Sequence, residues 1–151
     1  MGVIVNSQYN DMGAYVKAEF GMHVAAPIVA GSGTDDLDYV IGSYDYDGYG
    51  SAAIEIAYSA TIALSTLPLM ATVSISESAD DSTFGTYAAI LTSTSIVSTT
   101  TTGLYKLDVD MTEYKRYAKF KINLDSLAAA TDSIYVNFNA IKGGAVTLQI
   151  A

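Results

Sequence analysis

Apolar side chains in this chain recur at every second position, in five separated segments. Ile54, Ile56 and Tyr58 share one face of the first, and Leu69, Ala71, Val73 and Ile75 share one face of the second. Tyr105, Leu107, Val109 and Met111 follow, then Ala118, Phe120, Ile122 and Leu124, and last Ile134, Val136, Phe138 and Ala140. Successive side chains of a strand point to opposite sides of its sheet, so a period of two marks strands buried on one face. The intervening positions are polar or small, as in Lys106, Asp108 and Asp110 or Lys119, Lys121 and Asn123. No long stretch carries the three- and four-residue spacing of a helix.

Shorter apolar runs at Ile28–Ala30, Leu37–Ile41, Tyr87–Leu91 and Ser95–Ser98 bring the expected strands to eight or nine. Gly, Asp, Ser and Thr punctuate them, at Gly31–Gly33, Asp45–Gly50 and Ser78–Ser82. Asp47-Gly48 is a favoured hairpin pair. Lys142-Gly143-Gly144 reads as a turn into a last strand, Ala145–Ile150. The fold class predicted is all-β: an antiparallel β-sandwich, jelly-roll-like, with an irregular N-terminal arm. An immunoglobulin-like core is disfavoured because the chain has neither Cys nor Trp. Its 151 residues suit one domain. That division makes residues 1–25 the arm and 26–151 the sandwich. The arm lacks a core strand's period but offers apolar and aromatic anchors in Val3, Ile4, Val5, Tyr15 and Phe20, with His23 near its end. Such a segment is expected to become ordered mainly against a partner.

Charge narrows the choice of partner. The net charge is −9, and residues 1–105 hold eleven acids against one base, Lys17. An acidic surface repels nucleic acid and anionic membranes, so neither is expected as a direct partner. Lys115, Tyr117, Lys119 and Lys121 form a small basic stripe whose expected role is pairing with acidic loops. The chain's start has no basic region followed by a sustained apolar run, so no secretory signal is expected. The most apolar stretch, Ala52–Val73, is broken by Glu55 and Pro68 and is no membrane span.

No catalytic constellation emerges, and the chain is expected to be no enzyme and to use no cofactor. With no Cys and a single His, thiolate and multi-His metal sites are excluded within one chain. Gly48–Ala53 matches a loose G-x-G-x-x-A, but a polar turn precedes it and an alternating segment follows. A dinucleotide site needs a buried strand before that motif and a helix after it. The pairs Asp45/Asp47, Asp35/Asp36, Asp80/Asp81 and Asp108/Asp110 do not reproduce a twelve-residue calcium loop with its closing Glu. His23 has no G-x-S-x-G nucleophile elbow to serve.

Five segments, taken in order, resemble a known family. They are HVAAPIVAGSG at His23–Gly33, GYGSAAIEIAYSATI at Gly48–Ile62 and ATVSISESADDSTF at Ala71–Phe84, then LDVDMTEYKRYAKFKINL at Leu107–Leu124 and AIKGGA at Ala140–Ala145. This order resembles the jelly-roll cement, or head decoration, proteins of tailed bacteriophages, with Lys115-Arg116-Tyr117 the most recognisable part. One departure lies at Asp45–Gly48, where the family often carries an acid followed by Arg and this chain has no Arg.

The resemblance implies a non-enzymatic virion protein that binds the outside of the major capsid shell and stabilises it by bridging capsomers. It would be made in the host cytoplasm. Its implied partners are the major capsid protein and itself, as a homodimer ahead of a homotrimer. Candidate partner contacts are Val3, Ile4, Val5, Tyr15, Phe20, His23, Tyr44, Tyr46 and Tyr49. A carbohydrate- or receptor-binding module is the alternative, with Tyr44, Tyr46 and Tyr49 as an aromatic platform. So is a tail or connector component.

Overall fold

The computed structural model describes residues 17–23, 28–29, 36–60, 69–96, 102–126 and 133–145. Nine strands run through them. In chain order they are β1 (Lys17–His23), β2 (Ile28–Val29), β3 (Asp36–Asp45), β4 (Tyr49–Ala60) and β5 (Leu69–Ser78). Then come β6 (Ala88–Ser95), β7 (Thr102–Asp110), β8 (Tyr117–Ser126) and β9 (Ser133–Ala145). One sheet has the order β1-β9-β4-β7, with β2 also paired to β9, and the other has the order β3-β8-β5-β6. Every pairing is antiparallel.

The pairings are nested. β5 pairs with β6, β4 with β7, β3 with β8, and β1 with β9. Such a chain is one long hairpin wrapped around a common core, and the added contacts β4–β9 and β5–β8 close the two sheets. This is the jelly roll expected from the alternation.

The alternating faces meet in the middle. Ile54, Ile56, Leu69, Val73, Phe120, Ile122, Leu124 and Phe138 are fully buried. Tyr39 of β3 packs on Phe138 across the sandwich, with ring centroids 5.4 Å apart. Lys106, Asp108 and Asp110 face out, as predicted for that strand.

Two local expectations are corrected and a third is refined. Asp47-Gly48 does make a tight turn, with Tyr49 N–H donating to the Tyr46 carbonyl at 2.9 Å, but β3 and β4 lie in different sheets. The turn passes the chain between layers and makes no hairpin. Lys142-Gly143-Gly144 is no turn, because β9 continues beside β4 through Gly143–Ser51 to Ala145–Tyr49. The long β4 partner holds the chain extended there. Lastly, Lys17–His23, within the segment read as an arm, forms an edge strand on β9. Gly21 permits that approach, since a Cβ there would lie 1.6 Å from the Phe138 carbonyl oxygen.

Phe120→Ala is expected to destabilise the fold by about 3–5 kcal/mol in denaturant titration, because a ring with no exposed surface leaves a cavity. A loss under about 1 kcal/mol, within the range of surface substitutions, would move that ring out of the core.

Candidate functional site

Three described turns gather at one end of the sandwich: 46–48, 79–87 and 111–116. Arg116, the only arginine in the sequence, ties the first to the third. Its Nε and Nη2 donate to the Asp45 carboxylate at 2.9 and 2.7 Å, a two-point geometry that fixes the direction of both side chains. Nη1 lies 3.7 Å from Asp47, and the Arg116 carbonyl accepts from Tyr46 N–H at 2.7 Å. The guanidinium holds the Asp45 carboxyl below the usual carboxylate range, and the backbone N–H of Asp47 adds to that. In return the carboxylate raises Arg116. Asp45–Gly48 contains no Arg; the acid takes its partner from the β7–β8 turn instead.

Beneath this pair lies Lys142, only 4% exposed. Its alternation places it inward after Phe138 and Ala140, and its ammonium donates to the Asp45 carbonyl. The rings of Tyr46 and Tyr49 surround it, with centroids 5.6 and 5.2 Å from Nζ, so the charge is met by a carbonyl and two π faces. Tyr46 stands edge-on to both Tyr44 and Phe120.

These contacts overturn the aromatic platform. Tyr44 and Tyr46 are buried in the core, and Tyr49 is half-buried beside Lys142. Their alternation with Asp45 and Asp47 points them inward. Phe20 and His23 fall in β1, with His23 opposite Asn137 in the ladder. Val3, Ile4, Val5 and Tyr15 lie outside the described residues.

Loop 79–87 is organised by one carboxylate. Asp80 accepts from Ser78 Oγ at 2.8 Å, from Ser82 N–H at 3.0 Å and from Thr83 N–H at 2.9 Å. These donors hold its carboxyl well below the ordinary range, the Thr83 N–H foremost. The loop then folds onto the outer face of the second sheet. Ser76 Oγ donates to the Gly85 carbonyl at 2.6 Å, and Lys119 Nζ sits 3.9 Å from the Phe84 ring centroid. Ser74, Ser76 and Ser78 are buried as a result.

The basic stripe is consumed in the same way. Lys121 pairs with Asp38 at 3.1 Å and Lys115 with Glu77 at 3.6 Å, so acids of this chain take up the stripe as pairing, although both lie in strands and not in loops. Among the acids, Asp110 accepts from Thr112 Oγ1 and N–H at 2.6 and 3.0 Å, and Asp108 pairs with Lys106 at 3.0 Å. Asp45, Asp80 and Asp110 are thus each committed to a turn, and Asp108 to an ion pair. Gly48–Ala53 runs from a turn into β4 and not into a helix.

The flank between β6 and β7 is more open. A groove of ≈ 550 Å³ runs there between the sheets, lined by Ala89 and Ile90, by residues 107–110, and by Glu113 and Tyr114. Beside it Leu104 of β7 is 61% exposed. Alternation alone did not single out this flank, although the outward Leu104 among Lys106, Asp108 and Asp110 was its signal.

No family model matches the chain. No curated protein matches it by sequence. Among solved structures it is distantly similar in fold to VP2 of infectious bursal disease virus. The subviral particle of that protein matches at 14% identity and a TM-score of 0.48, over 85% of this chain and 33% of that one. The Gt strain gives 14% identity and 0.49, over 84% and 32%. This chain therefore spans about a third of those proteins. A chain of turnip yellow mosaic virus matches at 15% identity and 0.32, over 90% of this chain and 98% of its own.

Acid should loosen the ordered end before the core. Asp45 and Asp80 have native values below the ordinary 3.8, so their contribution is complete above that pH and fades as pH falls through the native values. Amide protection in 79–87, taken relative to the intrinsic exchange rate at each pH, is expected to fall below about pH 4, and Asp80→Ala should bring that loss of protection to neutral pH. Unchanged exchange in the variant would remove Asp80 from its organising role. Separately, Lys142→Met keeps the stem but strips the donor from the Asp45 carbonyl, and a loss of about 1–3 kcal/mol is expected in denaturant titration. A neutral result would mean the ammonium is dispensable.

Proposed function

We propose that this chain is a non-enzymatic structural protein of a virus particle. In this reading it seats on the outer surface of a tailed-phage capsid and cements neighbouring capsomers. The nested pairing of β1 with β9, β3 with β8, β4 with β7 and β5 with β6 carries the proposal. It is a jelly roll, an architecture used by viral capsid and lectin domains. The ordered resemblance of five segments to phage cement proteins selects the first of these uses. The committed turns support it as well: ion pairs and capping carboxylates build a stiff end in place of a reactive cleft.

A stiff body suits bridging. Two modest contacts held by one rigid protein act with a high effective concentration, so the pair resists opening more than either alone. Self-association as a two-fold pair would fit the closed symmetry common among homo-oligomers. The carbohydrate reading loses its main support with the burial of Tyr44 and Tyr46.

Purified full-length chain is expected to co-sediment with capsids stripped of it and to raise the temperature at which those shells open. Failure to bind shells, together with retention on a glycan array, would overturn the proposal. Immunogold labelling at the tail would favour the connector alternative. Removing residues 1–16 leaves every described strand in place, so that variant should fold while binding shells more weakly. Removing residues 1–23 strips β1 from β9 and should lower stability as well.

A further inference from the structure

The flank strands of a sheet expose a row of backbone N–H and C=O groups, and folded proteins usually blunt such edges. Here β1 and β7 flank one sheet and β3 and β6 the other. Three of the four are irregular. The register of β1 on β9 shifts between Glu19 and Met22. That of β3 on β8 shifts between Ile41 and Tyr44, around Gly42 at φ 108°. That of β6 on β5 shifts twice, between Ala71 and Val73 and between Val73 and Ser74. Bulges of this kind twist an edge away from a new partner.

β7 differs. It runs beside β4 without a shift from Ser51–Asp110 to Ser59–Thr102, and it contains no proline. Among the described residues, no strand lies on the far side of its residues 104–110. The edge borders the groove whose apolar lining includes Leu107, Ile90 and Tyr114. Its charge is net negative: Asp108 and Asp110 face outward along it and Glu113 stands at the groove, against one base, Lys106, which pairs with Asp108. Two copies of such an edge repel each other, whereas a basic strand is attracted.

We propose that the edge of β7 is a strand-addition site for an extended segment of a second protein in which apolar residues alternate with Lys or Arg. Strand addition takes its affinity from main-chain hydrogen bonds and its specificity from alternate side chains. The apolar set of the incoming strand settles against Leu107, Ile90 and Tyr114, continuing the core outward. The basic set lies on the opposite face beside Asp108 and Asp110. This proposal does not depend on the partner being a capsid.

The test uses the full chain and three nine-residue synthetic peptides: alternating Val and Lys, alternating Val and Glu, and the Val/Lys peptide with alternate amides N-methylated. The Val/Lys peptide is expected to slow exchange of the β7 amides that β4 leaves unbonded. It should bind at least about tenfold tighter than the Val/Glu peptide. N-methylation should abolish the protection, because it removes the ladder donors while keeping the charge. Asp108→Lys with Asp110→Lys should reverse the preference between the Lys and Glu peptides. Equal binding of the methylated peptide would reduce the site to charge alone and overturn the proposal. Protection confined to another edge would overturn it, as would concentration-dependent protection of β7 in the free chain, which would assign the edge to a second copy.

Discussion

β4 and β9 lie side by side from Tyr49–Ala145 to Ala60–Ile134, and the rest of the first sheet hangs on that ladder. β7 is attached through β4, and β1 and β2 through β9. The inward residues of the same two strands, among them Ile54, Ile56, Ile134, Val136 and Phe138, supply much of the first sheet's side of the core. The partners come from distant parts of the sequence, so the ladder forms only when the chain has wrapped around itself. Such non-local pairing must meet the cost of loop closure before contacts repay it, which makes jelly rolls slow to fold. Its reward is cooperativity, because no strand can leave without exposing the apolar face of a neighbour.

What the sequence disclosed follows from this division. Alternation was legible wherever one face of a strand is buried and the other wet, as in residues 69–75, 105–111 and 118–124. It also foretold the acid-facing side of β7. It was silent on which strand lies beside which, because antiparallel partners share a pattern and not a sequence address. Asp47-Gly48 shows the limit: the local turn was read correctly, but its destination in another sheet depends on β8, seventy residues away. The pairing of Asp45 with Arg116 is equally non-local. Lys142 was the more readable miss. It continues the inward series of Phe138 and Ala140, but a lysine followed by two glycines suggests a turn on composition. Only the long β4 partner keeps that stretch extended. Tyr44 and Tyr46 misled for the opposite reason. Their acidic neighbours suggest a loop, whereas the alternation of Tyr with Asp sends the rings inward and the carboxylates outward.

Within the described residues the two kinds of surface differ physically. At the loop end, charges are satisfied inside the chain: Asp45 by Arg116, Asp80 by the loop's own backbone, Lys142 by a carbonyl and two aromatic rings. Surface pairs of this kind contribute little individually to stability, but they restrict how turns can move. Along the β6–β7 flank, by contrast, the outer backbone groups of β7 face no described strand, while Asp108 pairs with Lys106 and Asp110 accepts from Thr112.

Leu104 joins these observations. Among the described residues it is the most exposed of the large apolar side chains, and it sits on the one described flank strand without a register shift. A single exposed leucine needs no explanation by itself. Its place in the ladder makes it informative: it lies opposite Ala57 of β4 and shares the outer face of the sheet with Lys106, Asp108 and Asp110. A strand added along β7 would bring its own outward side chains alongside Leu104, as cross-strand neighbours do in any sheet. A basic residue placed beside Leu104 would lay its alkyl stem over the leucine, and others further along the added strand, about 13 and 20 Å away, would bring their charged ends to Asp108 and Asp110. Lysine and arginine satisfy both demands at once, an apolar stem and a cationic end. A short apolar side chain would cover Leu104 but leave the net negative charge of Asp108, Asp110 and Glu113 uncompensated, and a carboxylate would do neither.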